Sequence, residues 1–452
     1  MLGDIFHPFR CSPHLYCVIQ NHKKYNLSST AGHVPFAWWS TPGDIWGTIN
    51  ATRYLIQGHF GSIYANKIFL VALPGILLLL IPVVLVVQAL GLGFDFSNTV
   101  PHPSSWLLIG PYEMIIGSLS LFALDALAKR LEIPPTRRAV LTFLEAAALW
   151  PMLVLWGHPE DAIALGIGLY GLMAAYDECH VKAGWLFGIA ISIQPLVGLI
   201  FPIVFGLTKK RHWLSLAIQG GLPSAVLLAA PIIQSPRSTL GFVFQQPSYP
   251  LVDHPTPWVY FAPVMKYRIN GHLVTHITTP FPAVVSAGPV RILAVVAAFA
   301  AGYWIFRKLP PLMWVIWVAG LSLAFRCFFE SVMAPYYFWP AIALGILVAA
   351  KGSLDRFILT VTLGGALTVF SFWHLNPWLY WLSMMLLLAG ILGCSVFKGG
   401  VLEGTLKNPR RRGSRNQRRS HNRQRLTSQP QRHNSKKKPE QKRKSHLSNL
   451  PR

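Results

Sequence analysis

Long apolar runs follow one another through most of this chain, and they restrict its possible folds more than any other feature. A helix needs about 20 consecutive apolar residues to cross the hydrocarbon core of a bilayer. Runs of about this length begin near residue 68. Hydrophobic residues make up 52% of the 452 residues and charged residues 12%, half of the ~25% typical of soluble domains. The sequence therefore predicts an all-α polytopic membrane protein of about 10–12 helices.

The charges between these runs predict which connections lie on which side of the membrane. Lysine and arginine are enriched in cytoplasmic connections. By this rule the basic connections at 128–138, 208–212, 306–308 and 351–356 are cytoplasmic, and the acidic and aromatic connections are outer. The predicted spans are 68–92, 105–127, 139–156, 161–176, 183–207, 213–233, 288–306, 311–328, 336–350, 356–373 and 378–397.

Prolines interrupt the run 183–207. Pro195 and Pro202 each remove a helical hydrogen bond, and a single span here would place the basic residues that follow on the outer side. We therefore expect ISIQPLVGLIFP to be a broken, partly re-entrant segment that lines a cavity. One kinked helix is the alternative. The run 68–92 also contains two prolines and leaves a similar choice, between a kinked helix and a short hairpin.

Three regions are predicted along the chain. Residues 1–66 form an N-terminal arm and first outer loop, residues 67–397 a transmembrane domain with an outer loop at 234–287, and residues 398–452 a tail. From residue 407 onward the tail has 17 Lys and Arg but one acid. It has too few large hydrophobic residues to fold alone. We expect a disordered cytoplasmic tail attracted to anionic lipid, with nucleic acid as the alternative partner through the same phosphate electrostatics.

The chain contains only 16 acids, and three of them fall in or near predicted spans. These are Glu113, Asp125 and Glu145. An acid at mid-bilayer costs roughly 2.5–3.5 kcal/mol on insertion scales, so it normally faces the bundle interior or a cavity. Asp125 is expected to pair with Lys129, four residues later, whereas Glu113 has no such partner in the sequence.

Acids on the predicted outer side recur beside prolines, aromatic residues and histidines. The settings are TPGDIW with Asp44, GHPED with Glu160 and Asp161, LVDHPTPW with Asp253, and FFESVMAPYYFWP with Glu330. Together they predict an outward-facing polar cavity capped by aromatic loops. In GHPED, a proline followed by two acids also suits the first turn of a helix, so a helix-starting role is an equal alternative there.

The motifs of soluble nucleotide and hydrolase chemistry are missing from the sequence, including the P-loop, GxSxG and HExxH. An outer-face transferase has no nucleotide-sugar supply, so a sugar carried on polyprenyl phosphate is the donor that fits. The acceptor hydroxyl then needs a carboxylate base within about 2.6–3.2 Å. Attack opposite the leaving group inverts the anomeric centre. Cationic groups or backbone N–H donors near the lipid phosphate would stabilise the departing charge.

Several blocks of the sequence resemble a known family. They are TPGDIWGTINATRYLIQGHFGSIY, FLVALPGILLLL, WGHPEDAIALGIGLYGLMAAY, KAGWLFGIAISIQPLVGLIFPIVF and FESVMAPYYFWPAIAL. In this order, over roughly residues 38–397, they resemble actinobacterial membrane proteins of the GT-C glycosyltransferase superfamily. The resemblance is to the family 87 group of polyprenyl-phosphomannose-dependent α-mannosyltransferases. It implies a GT-C-like bundle in the plasma membrane that transfers a sugar, with mannose favoured, to a lipid or cell-envelope glycan.

The resemblance also implies roles for residues. Asp44 matches the acid of the first outer loop and is the implied general base, while Arg53 could meet a phosphate or be a snorkelling interfacial arginine. Gln194 occupies a polar position in the broken helix, where a neutral side chain weakens any role in clamping phosphate. The other matched positions are implied to bind substrate: His158, Glu160, Asp161, Asp253, His254, Glu330, Tyr336 and Tyr337.

Two other functions remain open from the sequence. A transporter or flippase for a lipid-linked sugar would also use broken helices near the membrane midplane. A noncatalytic scaffold with the GT-C fold is the second alternative, because relatives carry a transmembrane helix before the acid that Asp44 matches and no long apolar run precedes Asp44 here. No cofactor is expected, although His158, Glu160 and Asp161 could ligate a divalent cation, a pattern that is common by chance.

Overall fold

The structure is a computed structural model, and most of it is helical. It describes residues 42–64, 70, 72–95, 103–245, 254–258, 264–269, 272–277, 289–330, 332–373 and 375–396. Within these ranges, five helical segments are long and apolar enough to cross a membrane: Trp106–Arg130, Pro135–Trp156, Lys210–Gln234, Leu312–Phe329 and Pro377–Val396. The protein is therefore a predominantly helical membrane protein, as the apolar runs predicted. Most of the N-terminal arm and the whole basic tail lie outside the described residues.

The described helices follow the predicted spans closely. They are α1 (Gly43–Ile56), α2 (Gly75–Ala89), α3 (Trp106–Ser118), α4 (Ser120–Arg130), α5 (Pro135–Pro151), α6 (Pro159–Tyr176), α7 (His180–Ile193), α8 (Phe201–Leu207), α9 (Trp213–Gln234), α10 (Pro236–Gln245), α11 (Pro289–Lys308), α12 (Leu312–Phe329), α13 (Trp339–Lys351), α14 (Leu354–Phe370) and α15 (Pro377–Val396). Helices α1 and α10 are the exceptions, since they lie in regions expected to be outer loops.

Short strands connect parts of the predicted outer loops. Strand β1 (His254–Pro255) pairs antiparallel with β4 (Val332–Met333), and β2 (Val264–Ile269) pairs antiparallel with β3 (His272–Ile277). The β1–β4 pair brings the DHPTPW segment beside the segment that follows α12. Two connections that are far apart in the sequence therefore meet at the end of α12.

The run 183–207 turns back on itself. Helix α7 ends at Ile193, and Gln194 is extended, with φ −142° and ψ 112°. A 3₁₀ turn at 195–200 and helix α8 then lead back. The two ends of this segment meet, because Lys209 Nζ lies 3.3 Å from Glu178 Oε2 and the His180 and His212 rings stack at 3.6 Å. The break predicted from the prolines is confirmed, and the single kinked helix is wrong.

The end of the bundle that carries this contact is rich in basic residues and their ion pairs. Arg130 pairs with Asp177, and Lys351 Nζ lies 3.5 Å from Glu132 Oε2. Asp125 accepts two hydrogen bonds from Arg138, of 2.8 and 2.6 Å. The predicted Asp125–Lys129 pair is therefore wrong. The turn between α4 and α5 brings Arg138 against Asp125, and a planar guanidinium matches both carboxylate oxygens better than an ammonium does.

Helices α6 and α13 form the centre of the bundle, where nearly all of their residues are buried. By contrast, α9 and α11 expose apolar side chains such as Ile233 and Phe299, as expected of helices that face lipid. Helix α6 begins at Pro159 with Glu160 and Asp161 in its first turn, so the helix-starting interpretation of GHPED is confirmed. Its buried position places these two acids inside the bundle.

Candidate functional site

The first turns of α1 and α6 meet and bring Asp44 against His158. The Nε2 atom of His158 lies 3.1 Å from Asp44 Oδ2, and Nδ1 lies 2.6 Å from Glu160 Oε1. His158 and Glu160 are each 2% exposed, whereas the Asp44 side chain is 53% exposed. The histidine thus joins a buried carboxylate to an accessible one. Two of the acidic settings found in the sequence, TPGDIW and GHPED, belong to one cluster.

Gly157 makes this approach possible. Its φ of +68° is in the left-handed region, which residues with a Cβ rarely adopt. A Cβ at this position would also lie 2.8 Å from Ile45 Cβ and 2.9 Å from Pro42 Cβ. The glycine therefore provides both the sharp turn after the π-helical residues 152–156 and the room for the start of α1.

Gly157→Ala is expected to destabilise the protein by more than the ~1–2 kcal/mol of left-handed strain, because its Cβ would overlap α1. Gly58→Ala is the matched control, since Gly58 has φ +75° but a Cβ added there would meet no atom within 4 Å. Thermal unfolding in detergent would measure both losses. Equal losses would mean that α1 moves away from residue 157 at no cost.

The electrostatics of the cluster favour a charged imidazolium at His158. Burial alone disfavours the charged ring, but the adjacent carboxylates of Glu160 and Asp44 outweigh burial and hold the pKa of His158 well above its ordinary value. The charges of Glu160 and His158 also act on Glu113, a buried acid of α3. His158 thus supplies a positive charge among three carboxyl groups.

This raised pKa predicts how stability depends on pH. A histidine whose folded-state pKa is raised contributes stability that is complete below its unfolded pKa of ~6.5 and is lost as the pH rises through the folded value. The stability difference between wild type and His158→Gln should therefore shrink as the pH rises from about 6.5 into the alkaline range. Unfolding midpoints measured at several pH values would show this trend. A difference that grows with pH would contradict a charged His158.

Aromatic rings join this cluster to a second one. Tyr336 stacks on His158 with ring centroids 4.1 Å apart, and Tyr337 packs edge-on against Tyr336 at 4.7 Å. The guanidinium of Arg326, in the last turn of α12, lies 3.5 Å above the Tyr337 ring centroid. The Arg326 side chain is 17% exposed. Two tyrosine rings in contact therefore connect His158 to a largely buried cation.

Glu330 anchors the second cluster. Its Oε1 accepts hydrogen bonds of 2.9 and 2.7 Å from Arg291, and its Oε2 lies 3.7 Å from Arg326 Nε. The Glu330 backbone carbonyl also accepts a 2.6 Å hydrogen bond from Thr256. Trp258 donates to the Phe328 carbonyl at 2.9 Å. The DHPTPW segment is therefore hydrogen-bonded to the backbone beside these charges.

The break in the re-entrant segment reaches the same region. Gln194 Nε2 donates a 2.6 Å hydrogen bond to Asp161 Oδ1, and both side chains are buried. The charges of Asp161 and Arg326 act on each other. The broken helix therefore ends against α6, at the level of the two clusters.

The structure gathers most of the candidate residues into one network, but not all of them. Arg53 follows Asp44 by nine residues on α1, which places it on the opposite helix face, and its guanidinium stacks on Phe94 at 4.5 Å. His254 stacks on Tyr380 at 4.4 Å rather than joining His158. Asp253 lies outside the described residues.

Arg326 and Arg291 are members of the network that the sequence reasoning missed. A signal was present for Arg326, because an arginine inside the apolar run 311–328 marks a buried functional position by default. Arg291 gave a weaker signal, since it stands at the start of an apolar run, where basic residues are common. Scarcity singles out the acids of this chain, whereas arginines are too frequent in it to stand out.

Within the part of the chain that the structure describes, no group of three or more His, Cys, Asp or Glu side chains is arranged to hold a metal ion. Several kinds of side chain meet at the site. They comprise an accessible carboxylate that is hydrogen-bonded to a charged histidine, buried carboxylates, and cations beside tyrosine rings.

Comparison with known proteins adds no assignment to this geometry. No family model matches the chain, and no curated protein matches it.

Proposed function

We propose that this protein is an integral membrane glycosyltransferase with a GT-C-like polytopic fold. In this proposal it moves a sugar, with mannose favoured, from a polyprenyl-phosphate donor to a lipid or cell-envelope glycan at the outer face of the plasma membrane. The observation that carries the proposal is Asp44, half-exposed and hydrogen-bonded to buried His158 beside a second charged cluster. The order of the sequence blocks that resemble family 87 adds support.

Asp44 is the proposed general base. One of its oxygens is held 3.1 Å from His158 Nε2, and its exposure leaves room for an acceptor hydroxyl at the other oxygen. The acceptor oxygen attacks the anomeric carbon opposite the phosphate, the sugar–phosphate C–O bond breaks, and the hydroxyl proton passes to Asp44. Polyprenyl phosphate leaves with the bonding electrons. One displacement of this kind inverts the anomeric centre.

Arg326 is the proposed partner of the donor phosphate. Its Nε has no hydrogen-bond partner among the described residues, so it can still donate. A guanidinium in a largely buried site stabilises the charge that develops on a departing phosphate more strongly than it would in water. In this proposal the flanking acids Asp161 and Glu330 accept hydrogen bonds from sugar hydroxyls.

The proposed orientation follows from the distribution of charge. The site lies at the starts of α6 and α13. The ion pairs of Asp177 with Arg130 and of Lys351 with Glu132 lie at the other ends of these two helices. Lysine and arginine favour the cytoplasmic side, which supports an outer position for the site. The basic tail would then be cytoplasmic and meet anionic lipid.

A transfer assay tests the proposal. The purified protein in liposomes would receive a polyprenyl-phosphate mannose with a radiolabelled sugar, together with a lipid extract of the cell envelope as acceptor. The expected result is a labelled glycolipid whose new linkage has the anomeric configuration opposite to that of the donor. Retention of configuration, or no product with any sugar donor, would contradict the proposal.

The re-entrant break at Gln194 also favours a second candidate, a flippase for the lipid-linked sugar. Transporter sites are commonly built where helices are broken near the midplane. The same liposomes distinguish the two functions. Labelled donor that becomes accessible on the far side without any glycolipid product would support the flippase. Neither movement nor product would point to a noncatalytic scaffold.

A further inference from the structure

Glu145 lies apart from the site described above, near the middle of a membrane span. It is the eleventh residue of the 22-residue segment Pro135–Trp156. The side chain is 0% exposed, and neither carboxyl oxygen has a hydrogen-bond partner among the described residues. An ionised acid at this depth is costly, and such residues mark functional sites by default. A carboxyl group at this position must therefore be either protonated or bound to a ligand.

The polar group that faces Glu145 is the indole N–H of Trp339, at the start of α13. The two groups do not reach hydrogen-bond geometry, and Trp339 Nε1 has no other partner within the described ranges. Trp339 is 3% exposed, so water outside the protein does not solvate it. A buried polar group left unsatisfied costs about 1–3 kcal/mol. A small ligand that bridges the carboxyl and the indole would remove both costs.

A cavity of about 20 Å³ lies against Trp339. Glu145 does not line this cavity itself, but it lies next to two residues that do, Ala148 one helical turn away and Trp339. Ser371 and Trp156 also line the cavity. The Trp156 Nε1 is likewise buried and unpartnered among the described residues. About 10–15 Å³ is enough to hold one water molecule where two to four polar groups can bind it. The cavity therefore suits water and is too small for a sugar.

We infer that Glu145, Trp339 and this cavity form an internal protonation site whose ligands are a proton and ordered water. Protonation removes a charge that no described cation offsets, and it gives Glu145 an O–H donor beside its carbonyl acceptor. A water molecule then accepts from an indole N–H and bridges to the carboxyl group. Tyr336 lines the same cavity and stacks on His158, so the protonation site adjoins the cluster of Asp44, His158 and Glu160 without sharing a charged residue. The inference does not depend on sugar transfer.

Infrared difference spectroscopy of the full-length protein in lipid bilayers tests this inference. The wild type minus Glu145→Gln spectrum at neutral pH should contain the C=O stretching band of a carboxylic acid. The band should shift to lower frequency in deuterium oxide, because water reaches the acid. Trp339→Phe removes the indole donor and should shift the band, whereas Trp378→Phe, at an exposed tryptophan, should leave it in place.

Two results would overturn the inference. The lack of any acid band in the difference spectrum would mean that Glu145 is ionised. A band that keeps its frequency in deuterium oxide would mean a dry acid without bound water. If Glu145→Gln fails to fold, Glu145→Asp provides the second comparison. It keeps an acid on a shorter side chain, so the wild type minus Glu145→Asp spectrum should show a paired loss and gain of acid bands.

Discussion

Asparagine in place of Asp44 is expected to lower the rate of sugar transfer by about 10²–10⁴-fold, the usual contribution of a general base. The amide has nearly the same shape as the carboxylate but cannot take the acceptor's proton. Its oxygen can still accept from His158, so the first turn of α1 should stay in place. The measurement is kcat for labelled product, with the KM for the polyprenyl-phosphate donor expected to stay nearly unchanged.

Asp95→Asn is the control for this experiment, because Asp95 is also an exposed acid but has no hydrogen bond to His158. It should transfer sugar at the wild-type rate. Thermal unfolding of both variants shows whether a lower transfer rate comes from the missing base or from an unfolded protein. Full transfer by Asp44→Asn would exclude Asp44 as the base and would leave the proposed mechanism without its central residue.

Alanine in place of His158 should destabilise the protein by about 3–5 kcal/mol, the cost of leaving one partner of a buried ion pair uncompensated. The stranded group is Glu160, which is 2% exposed and whose Oε2 already lacks a hydrogen-bond partner among the described residues. The variant also removes the ring that stacks on Tyr336. Chemical denaturation in mild detergent would measure the loss.

A second substitution shows whether this loss comes from charge. Glu160→Gln in the His158→Ala background removes the stranded carboxylate, so it should recover a large part of the lost stability. His180→Ala is the matched control, since His180 stacks on His212 as His158 stacks on Tyr336, but its ring forms no ion pair with a carboxylate in the described structure. His180→Ala should lower the stability much less than His158→Ala does. If the two histidine variants lose equal stability, ring stacking rather than charge holds the site.

The helices could largely be predicted because their cause is local. Apolar runs of bilayer length form helices whatever packs against them, since backbone groups in lipid must be hydrogen-bonded within the segment. Prolines in the run 183–207 predicted the break at Gln194, and Pro159 with two acids predicted the start of α6. Helix α1 was missed because it is too short and too polar to resemble a span.

The candidate site could be predicted only in part. The scarcity of acids drew attention to Asp44, Glu160 and Glu330, which do lie in the network. The sequence did not reveal which side chains meet, and it misassigned the partner of Asp125. Arg326 was hidden because one charged residue inside an apolar run changes the hydropathy pattern very little.

By itself the sequence determined that this chain is a helical membrane protein, where most helices begin and end, and which polar residues are rare enough to matter. Only the tertiary structure decided that Asp44 meets His158, that Arg326 lies over Tyr337, and that Glu145 faces Trp339. The physical reason is how far apart in the sequence the interacting residues lie. Hydropathy and proline act within one segment, whereas ion pairs and ring contacts depend on side chains that approach from separate helices.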